Sequence, residues 1–210
     1  MNDLFNFFLA AYQQASTADI VLEAIAFVFG IASVWYAKNE NILVYPTGLV
    51  ATIITVYLLY KAEYFGDMMM NFYYSVMSIF GWWNWSRKKN DKVIVPISRT
   101  TLKEKIIGVA LVVLTMIVTY IVYRYFGNEI KTENYIDIFT SGIFFTAMWY
   151  MATKKLENWT LWIFADIITI PLYAYRGLGM LSLQYLIFTI LAIQGYLAWK
   201  KSFNNNPSTL

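Results

Sequence analysis

One stretch of the chain gathers the side chains best suited to chemistry: Asn158-Trp159-Thr160-Leu161-Trp162-Ile163-Phe164-Ala165-Asp166, then Thr169, Pro171 and Tyr173. Read as a helix, it places Trp159, Trp162, Asp166, Thr169 and Tyr173 on one face about 80° wide. The rest of its surface is mostly Leu, Ile, Phe and Ala. Asp166 lies about 10 Å along the axis from Trp159, at 1.5 Å per residue. In a membrane-spanning helix that is near mid-depth, where a carboxyl costs at least about 2.5–3.5 kcal/mol and is functional by default. The chemistry these residues offer is recognition. Two indoles one turn apart present flat faces to an aromatic or cationic ring. A carboxylate below them accepts from hydroxyls. Pro171 removes a backbone donor and should kink the helix, freeing carbonyls beside the stripe; Pro46 is placed to do the same at the start of the second helix.

Composition says which elements must hold that stripe. Of 210 residues, 59% are hydrophobic and 14% charged, against about 25% charged in a soluble domain. So few charges cannot cover a water-facing surface, whereas stretches of about 20 apolar residues cross a bilayer. Backbone groups in lipid must be satisfied within the segment, so the spans are helices. The chain has neither cysteine nor histidine. Disulfides, thiolate nucleophiles, His/Cys metal sites and imidazole acid–base catalysis are therefore excluded. No phosphate-cradling glycine loop occurs, so ATP-driven transport by this polypeptide has no support. No cofactor, metal or nucleic-acid partner is expected.

Seven apolar segments stand out, approximately Ile20–Ala37, Ile42–Tyr60, Met68–Trp85, Ile106–Tyr123, Tyr135–Ala152, Trp159–Tyr175 and Leu181–Trp199. The longest connection, Ser86 to Lys105, carries Arg87, Lys88, Lys89, Lys92, Arg99, Lys103 and Lys105. Basic connections stay cytoplasmic. Alternation then puts Lys38, Lys154, Lys155, Lys200 and Lys201 inside as well, twelve of the sixteen basic residues. The N-terminus is expected outside and the C-terminus in the cytoplasm. The start lacks the basic region of a secretory signal. Leu4, Phe5, Phe8, Ala11 and Tyr12 instead share one side of a short amphipathic helix lying on the membrane.

The chain also resembles itself. Trp35-Tyr36 recurs as Trp149-Tyr150, an offset of 114 (149 less 35). The same offset carries Ile53-Ile54-Thr55 to Ile167-Ile168-Thr169, Gly81 to Gly195 and Trp85 to Trp199, without a gap. The expected architecture is an all-α membrane protein of seven transmembrane helices: two parallel three-helix repeats joined by a linker helix. Its parts are an N-terminal interfacial helix at 1–16, repeat one at 20–86, the basic loop and linker helix at 87–126, repeat two at 135–201 and a tail at 202–210. Parallel repeats are a transporter architecture, with substrate near the midplane between them.

Two further helices carry polar stripes. Asn71, Ser75, Ser78, Trp82 and Trp85 fall within about 80° on the third. Gln184 and Gln194 sit roughly 80° apart on the seventh. Such residues often serve as interhelical glue. Gln194 is favoured for binding, because it lies in the inner half and a carboxamide can pair with another in both directions.

The run Gly81-Trp82-Trp83-Asn84-Trp85 before a basic loop resembles the PnuC-type nicotinamide riboside transporters, as does Asn158-Trp159-Thr160-Leu161-Trp162 followed by Asp166 and Tyr173. The resemblance covers nearly the whole chain, including the three-plus-one-plus-three layout. It implies uptake of a vitamin B3 nucleoside across a bacterial inner membrane, and a homotrimer related to the parallel-repeat sugar transporters. It also implies facilitated diffusion, with a separate cytoplasmic kinase trapping the substrate. With such a ligand, the ring suits Trp159 and Trp162, and the ribose suits Asp166 and Tyr173. The carboxamide suits Gln194 or Asn84, with Trp85 beside the latter also expected at the substrate.

Transport of another vitamin, thiamine or a flavin, stays open on these motifs. A membrane enzyme would need a catalytic constellation, and the spans offer one mid-depth carboxylate. A seven-helix receptor matches the helix number but needs no duplication, and the seventh segment has no lysine for a retinal Schiff base. The topology makes a direct prediction. A cysteine at Ser202 should resist an impermeant thiol reagent in intact cells; labelling there would overturn the orientation.

Overall fold

The computed structural model describes residues 15–62, 65–89, 92–93, 95–126 and 130–205. Seven helices account for nearly all of them: α1 Thr17–Lys38, α2 Val44–Lys61, α3 Phe65–Ser86, α4 Leu102–Phe126, α5 Thr132–Ala152, α6 Asn158–Tyr175 and α7 Gly179–Asn205. They coincide with the seven apolar stretches. The expected interfacial helix falls, apart from Ala15 and Ser16, outside the described residues, as does the tail from residue 206. Ser16 caps α1 by accepting from the Asp19 amide at 3.2 Å. Thr101 and Glu104 form a reciprocal cap on α4, with Thr101 N–H donating to Glu104 Oε2 at 2.8 Å and Glu104 N–H to Thr101 Oγ1 at 3.3 Å.

Four helices, α1, α2, α4 and α7, are long and apolar enough to cross a membrane by length and composition. The other three have traded apolar residues for polar ones that face inward: Asn71 and Ser78 on α3, Asp137 and Thr140 on α5, Asp166 and Thr169 on α6. Helices α1, α2 and α3 pack in sequence, as do α5, α6 and α7. Two contacts join the groups, α1 on α7 and α3 on α5, while α4 rests mainly on α5.

The connection after α3 is not structureless. Lys88–Lys89 pairs antiparallel with Lys92–Val93. Further on, Ser98 N–H donates to the Lys154 carbonyl at 3.1 Å, and Leu156 N–H donates to Ser98 O at 2.9 Å. The loop is thereby stitched to the α5–α6 turn, and Ile97 enters the core beside Trp85 and Leu156.

Contacts recur at the offset of 114. Trp85 Nε1–H donates to Met151 O at 3.3 Å, and Trp199 Nε1–H donates to Ala37 O at 2.9 Å. Each member of one bond stands 114 positions from its counterpart in the other. Tyr45 meets Trp85 edge-on with centroids 5.1 Å apart, and Trp159 meets Trp199 edge-on at 5.5 Å. Among described residues, two that are not glycine have positive φ: Glu40 at 53° and Lys154 at 54°. They are counterparts, ending α1 and α5 in the left-handed conformation. They also touch each other, Lys154 Nζ to Glu40 Oε2 at 3.5 Å. Burial lowers the Lys154 pKa from the ordinary lysine value, and the nearby Glu40 carboxylate opposes that shift.

Ser202 donates to Glu40 Oε1 at 2.8 Å and is half-buried. Resistance to labelling there would reflect packing as well as sidedness, so the exposed neighbour Lys201 reports sidedness better.

Two glycines let the rings close in. A Cβ on Gly81 would lie 2.3 Å from the Tyr45 ring, and one on Gly195 2.7 Å from the Trp159 ring. Gly81→Ala and Gly195→Ala should each destabilise by about 1–3 kcal/mol through overpacking. Thermal unfolding of the detergent-solubilised protein measures this; wild-type melting in both would show that the rings yield freely.

Candidate functional site

A cavity of 1040 Å³ runs between the two helix groups. At one end it reaches the α1 N-terminus, the α2 C-terminus and the α6–α7 turn, lined there by Asp19, Lys61, Asp137 and Arg176. At the other it stops on Ala37, Val44, Tyr45, Met151 and Trp159. Those residues belong to the core cluster that includes Trp85 and Trp199. The floor lies toward the end bearing the basic connections, and the polar mouth lies at the opposite end.

The α6 stripe faces this cavity. Trp159, Trp162, Asp166, Thr169 and Tyr173 all line it. Their helix runs without interruption through Pro171, and the Ile170 carbonyl accepts from Ser182 Oγ at 2.9 Å. Trp159 is 1% exposed. One edge packs on Gly195 and Trp199, and its Nε1 has no hydrogen-bond partner among the described residues. Trp162 is half-buried and stands between Phe144, at 5.4 Å, and Tyr74, at 6.2 Å between centroids. Tyr173 stacks on Tyr185 at 5.3 Å.

Asp166 is 2% exposed, and its Oδ1 has no hydrogen-bond partner among the described residues. A buried carboxylate left this way is costly unless a partner arrives. Its counterpart 114 positions earlier is Thr52, which accepts from Ser75 Oγ at 2.8 Å and donates to Leu49 O at 3.3 Å. The same register pairs Trp162 with Gly48 and Tyr173 with Leu59. The bulky, polar stripe of α6 thus faces a lean one on α2, and the space between them is the cavity.

Three expected site residues lie outside the cavity. Gln194 is exposed and accepts from Lys38 Nζ at 2.9 Å. Asn84 is buried and donates to the Ala152 carbonyl at 3.0 Å. Trp85 is buried behind the floor, bonded to Met151 O. None of the three lines the cavity. The α3 stripe splits in the same way: Asn71 and Ser78 line the cavity, while Trp82 is exposed on the helix surface. Gln184, Tyr74 and Tyr185 do line it and were not expected there as ligand contacts. The available signal for Gln184 was its nearness in sequence to the α6–α7 turn, which keeps it in the half of α7 beside the open end.

Polar pairs frame the mouth. Lys61 bonds Asp19 at 2.6 Å, and Arg176 bonds Asp137 at 2.6 Å with the Tyr123 hydroxyl 3.2 Å away. Six carboxylates and three cations line the cavity as a whole.

The family model described as "Nicotinamide mononucleotide transporter" matches residues 20–201. A relative from Escherichia coli K12, the "Nicotinamide riboside transporter PnuC", is 22% identical over 89% of this chain and 88% of its own length. Another of the same description, from Neisseria mucosa, is 27% identical over 87% of this chain and 73% of its own. A crystal structure of the vitamin B3 transporter PnuC superposes with a TM-score of 0.71 at 25% identity, covering 90% of this chain and 84% of that one. The chain is therefore a membrane transporter of the nicotinamide mononucleotide transporter family.

Proposed function

We propose that the chain carries nicotinamide riboside across a bacterial inner membrane by facilitated diffusion, with the cavity as its binding site. The observation that carries this reading is the pairing of a buried carboxyl, Asp166, whose Oδ1 has no hydrogen-bond partner among the described residues, with two cavity-lining indoles on one helix face. A flat pyridinium cation fits the aromatic faces of Trp159 and Trp162. Ribose hydroxyls satisfy Asp166, with the Tyr173 hydroxyl within the same stripe. The relatives' names support the riboside. The excess of carboxylates in the cavity also disfavours a phosphorylated ligand, which brings anionic charge into a low-dielectric site.

We further propose that α1–α3 and α5–α7 are duplicated three-helix units related by a two-fold axis along the membrane normal, with α4 as linker. The swapped indole bonds support it, as does the Glu40–Lys154 contact, since counterparts can meet only at such an axis. The mouth faces outward on the charge-derived orientation, with the C-terminus cytoplasmic. A homotrimer and trapping by a separate cytoplasmic kinase rest on the family resemblance.

Binding to the purified protein, followed by calorimetry or tryptophan fluorescence, tests the substrate. Trp162→Ala should weaken nicotinamide riboside roughly 5- to 150-fold, from about 1–3 kcal/mol per stacked ring. Asp166→Ala should cost more than Asp166→Asn, because the amide still accepts from a hydroxyl. Trp83→Ala, at a residue 59% exposed and outside the cavity, is the control. Unchanged affinity in Trp162→Ala and Asp166→Ala would refute the site.

Release toward the basic end requires the floor to open. Neutralising Lys154 leaves Glu40 uncompensated and should favour that opening. The chain has no native cysteine, so Ala37→Cys, at a position 1% exposed, is a clean reporter. Adding Lys154→Gln should raise its reactivity from the basic side about 5-fold, for a pair contributing about 1 kcal/mol. Equal reactivity in the two backgrounds would show that the pair plays no part in closure.

A further inference from the structure

The two contacts that join the helix groups are counterparts at the offset of 114, yet the cavity treats them differently. At the α3–α5 contact, Phe144 and Met70 pack together in one apolar cluster. Their counterparts at the α1–α7 contact are Gly30 and Gln184. A ring and a thioether fill one side. On the other, bare backbone faces a carboxamide, and a Cβ placed on Gly30 would lie 3.3 Å from Gln184 Nε2 and 3.6 Å from Phe188 Cζ. Both residues line the cavity.

Three carboxamides line this cavity: Asn71, Asn134 and Gln184. Asn71 spends its amide group on the Asp67 carbonyl at 3.0 Å. Asn134 spends its oxygen on the Lys131 amide at 2.9 Å, capping α5. Gln184 is the one with neither half engaged among the described residues. A free donor and a free acceptor on one planar group complement another primary carboxamide, which pairs with it head to head through two N–H···O bonds.

We propose that Gln184, held in the slot opposite Gly30, binds the ring carboxamide of the substrate and sets selectivity for that group. The proposal rests on the pyridine nucleoside reading above and goes beyond it by assigning the substituent that Trp159, Trp162, Asp166 and Tyr173 leave unread. The asymmetry between the two contacts also fixes which way round the ring lies: the carboxamide points to α1 and α7, and the opposite edge to Phe144 and Met70. A carboxylate substituent would keep one bond and set its second oxygen against the Gln184 carbonyl.

The test compares two ligands on the purified full-length protein by calorimetry: nicotinamide riboside and the pyridine riboside that lacks the carboxamide. Two neutral hydrogen bonds at ordinary net strength correspond to roughly 5- to 150-fold in affinity. Wild type should prefer nicotinamide riboside by about that ratio. Gln184→Met installs the side chain already found at the counterpart Met70 and should bring the ratio close to one. It should do so by weakening the amide-bearing ligand alone, and retained binding of the unsubstituted riboside checks the fold. Gly30→Ala pushes a methyl against Gln184 Nε2 and should lower the ratio in the same direction, by less. Persistence of the wild-type ratio in Gln184→Met overturns the assignment; if that variant binds neither ligand, an unchanged ratio in Gly30→Ala overturns it. Failure of wild type to bind either riboside would bring down the substrate reading, and this assignment with it.

Discussion

The rest of the structure depends on a crossed pair of hydrogen bonds, the indole of Trp85 to the carbonyl of Met151 and the indole of Trp199 to the carbonyl of Ala37. Both acceptors lie in the last turn of a helix and already accept from the turn that follows, Ala37 O from Glu40 N–H at 3.1 Å and Met151 O from Lys154 N–H at 3.0 Å, so the indole takes the second lone pair of each. Both donors are buried indoles, which need a partner away from water. Each indole therefore finds its partner across the boundary between the two helix groups. The acceptor must stand where its helix ends, and the ends are set by Glu40 and Lys154 in the left-handed conformation. A non-glycine residue there costs on the order of 1–3 kcal/mol. The contact between these two residues and the packing of Lys154 over the Trp85 ring at 4.5 Å help offset it.

Fastening one end determines what the other can do. With Tyr45 on Gly81 and Trp159 on Gly195, the ring layer closes the cavity at the basic end and leaves it open at the mouth. In the proposed mechanism, opening the closed end by parting the two helix groups breaks two indole bonds and an ion pair and separates a tightly packed ring layer. Packed interfaces of this kind switch between discrete arrangements and do not deform continuously. Transport between two sides of a membrane needs such a two-state element. Trp159 takes part in both functions, since it forms the floor of the proposed site and one wall of the seal.

A near-symmetric frame around an asymmetric ligand raises a problem of orientation. The chain meets it by differing between counterpart positions: Asp166 against Thr52, Trp162 against Gly48, Gln184 against Met70 and Gly30 against Phe144. All eight residues line the cavity, so each pair breaks the symmetry of its wall at one point. In the proposed reading, the recurring contacts supply the seal, while the departures from repetition supply the site.

The sequence by itself determined the seven helices, the recurrence at 114 and the α6 face. These depend on hydropathy, register and the 3.6-residue period, all of them properties of a segment alone. The stripe from Trp159 to Tyr173 could be read because its polarity contrasts with an apolar helix around it. Periodicity states which residues share a face but not what that face meets. Only the tertiary structure decided that Asn84 and Trp85 turn to the carbonyls ending α5, that Gln194 meets Lys38 outside the cavity, and that Gln184 lies within it. The physical reason is that a polar side chain in the membrane goes to the nearest unsatisfied partner. Where such a partner exists is fixed by the ends and crossings of other helices, which no single segment encodes.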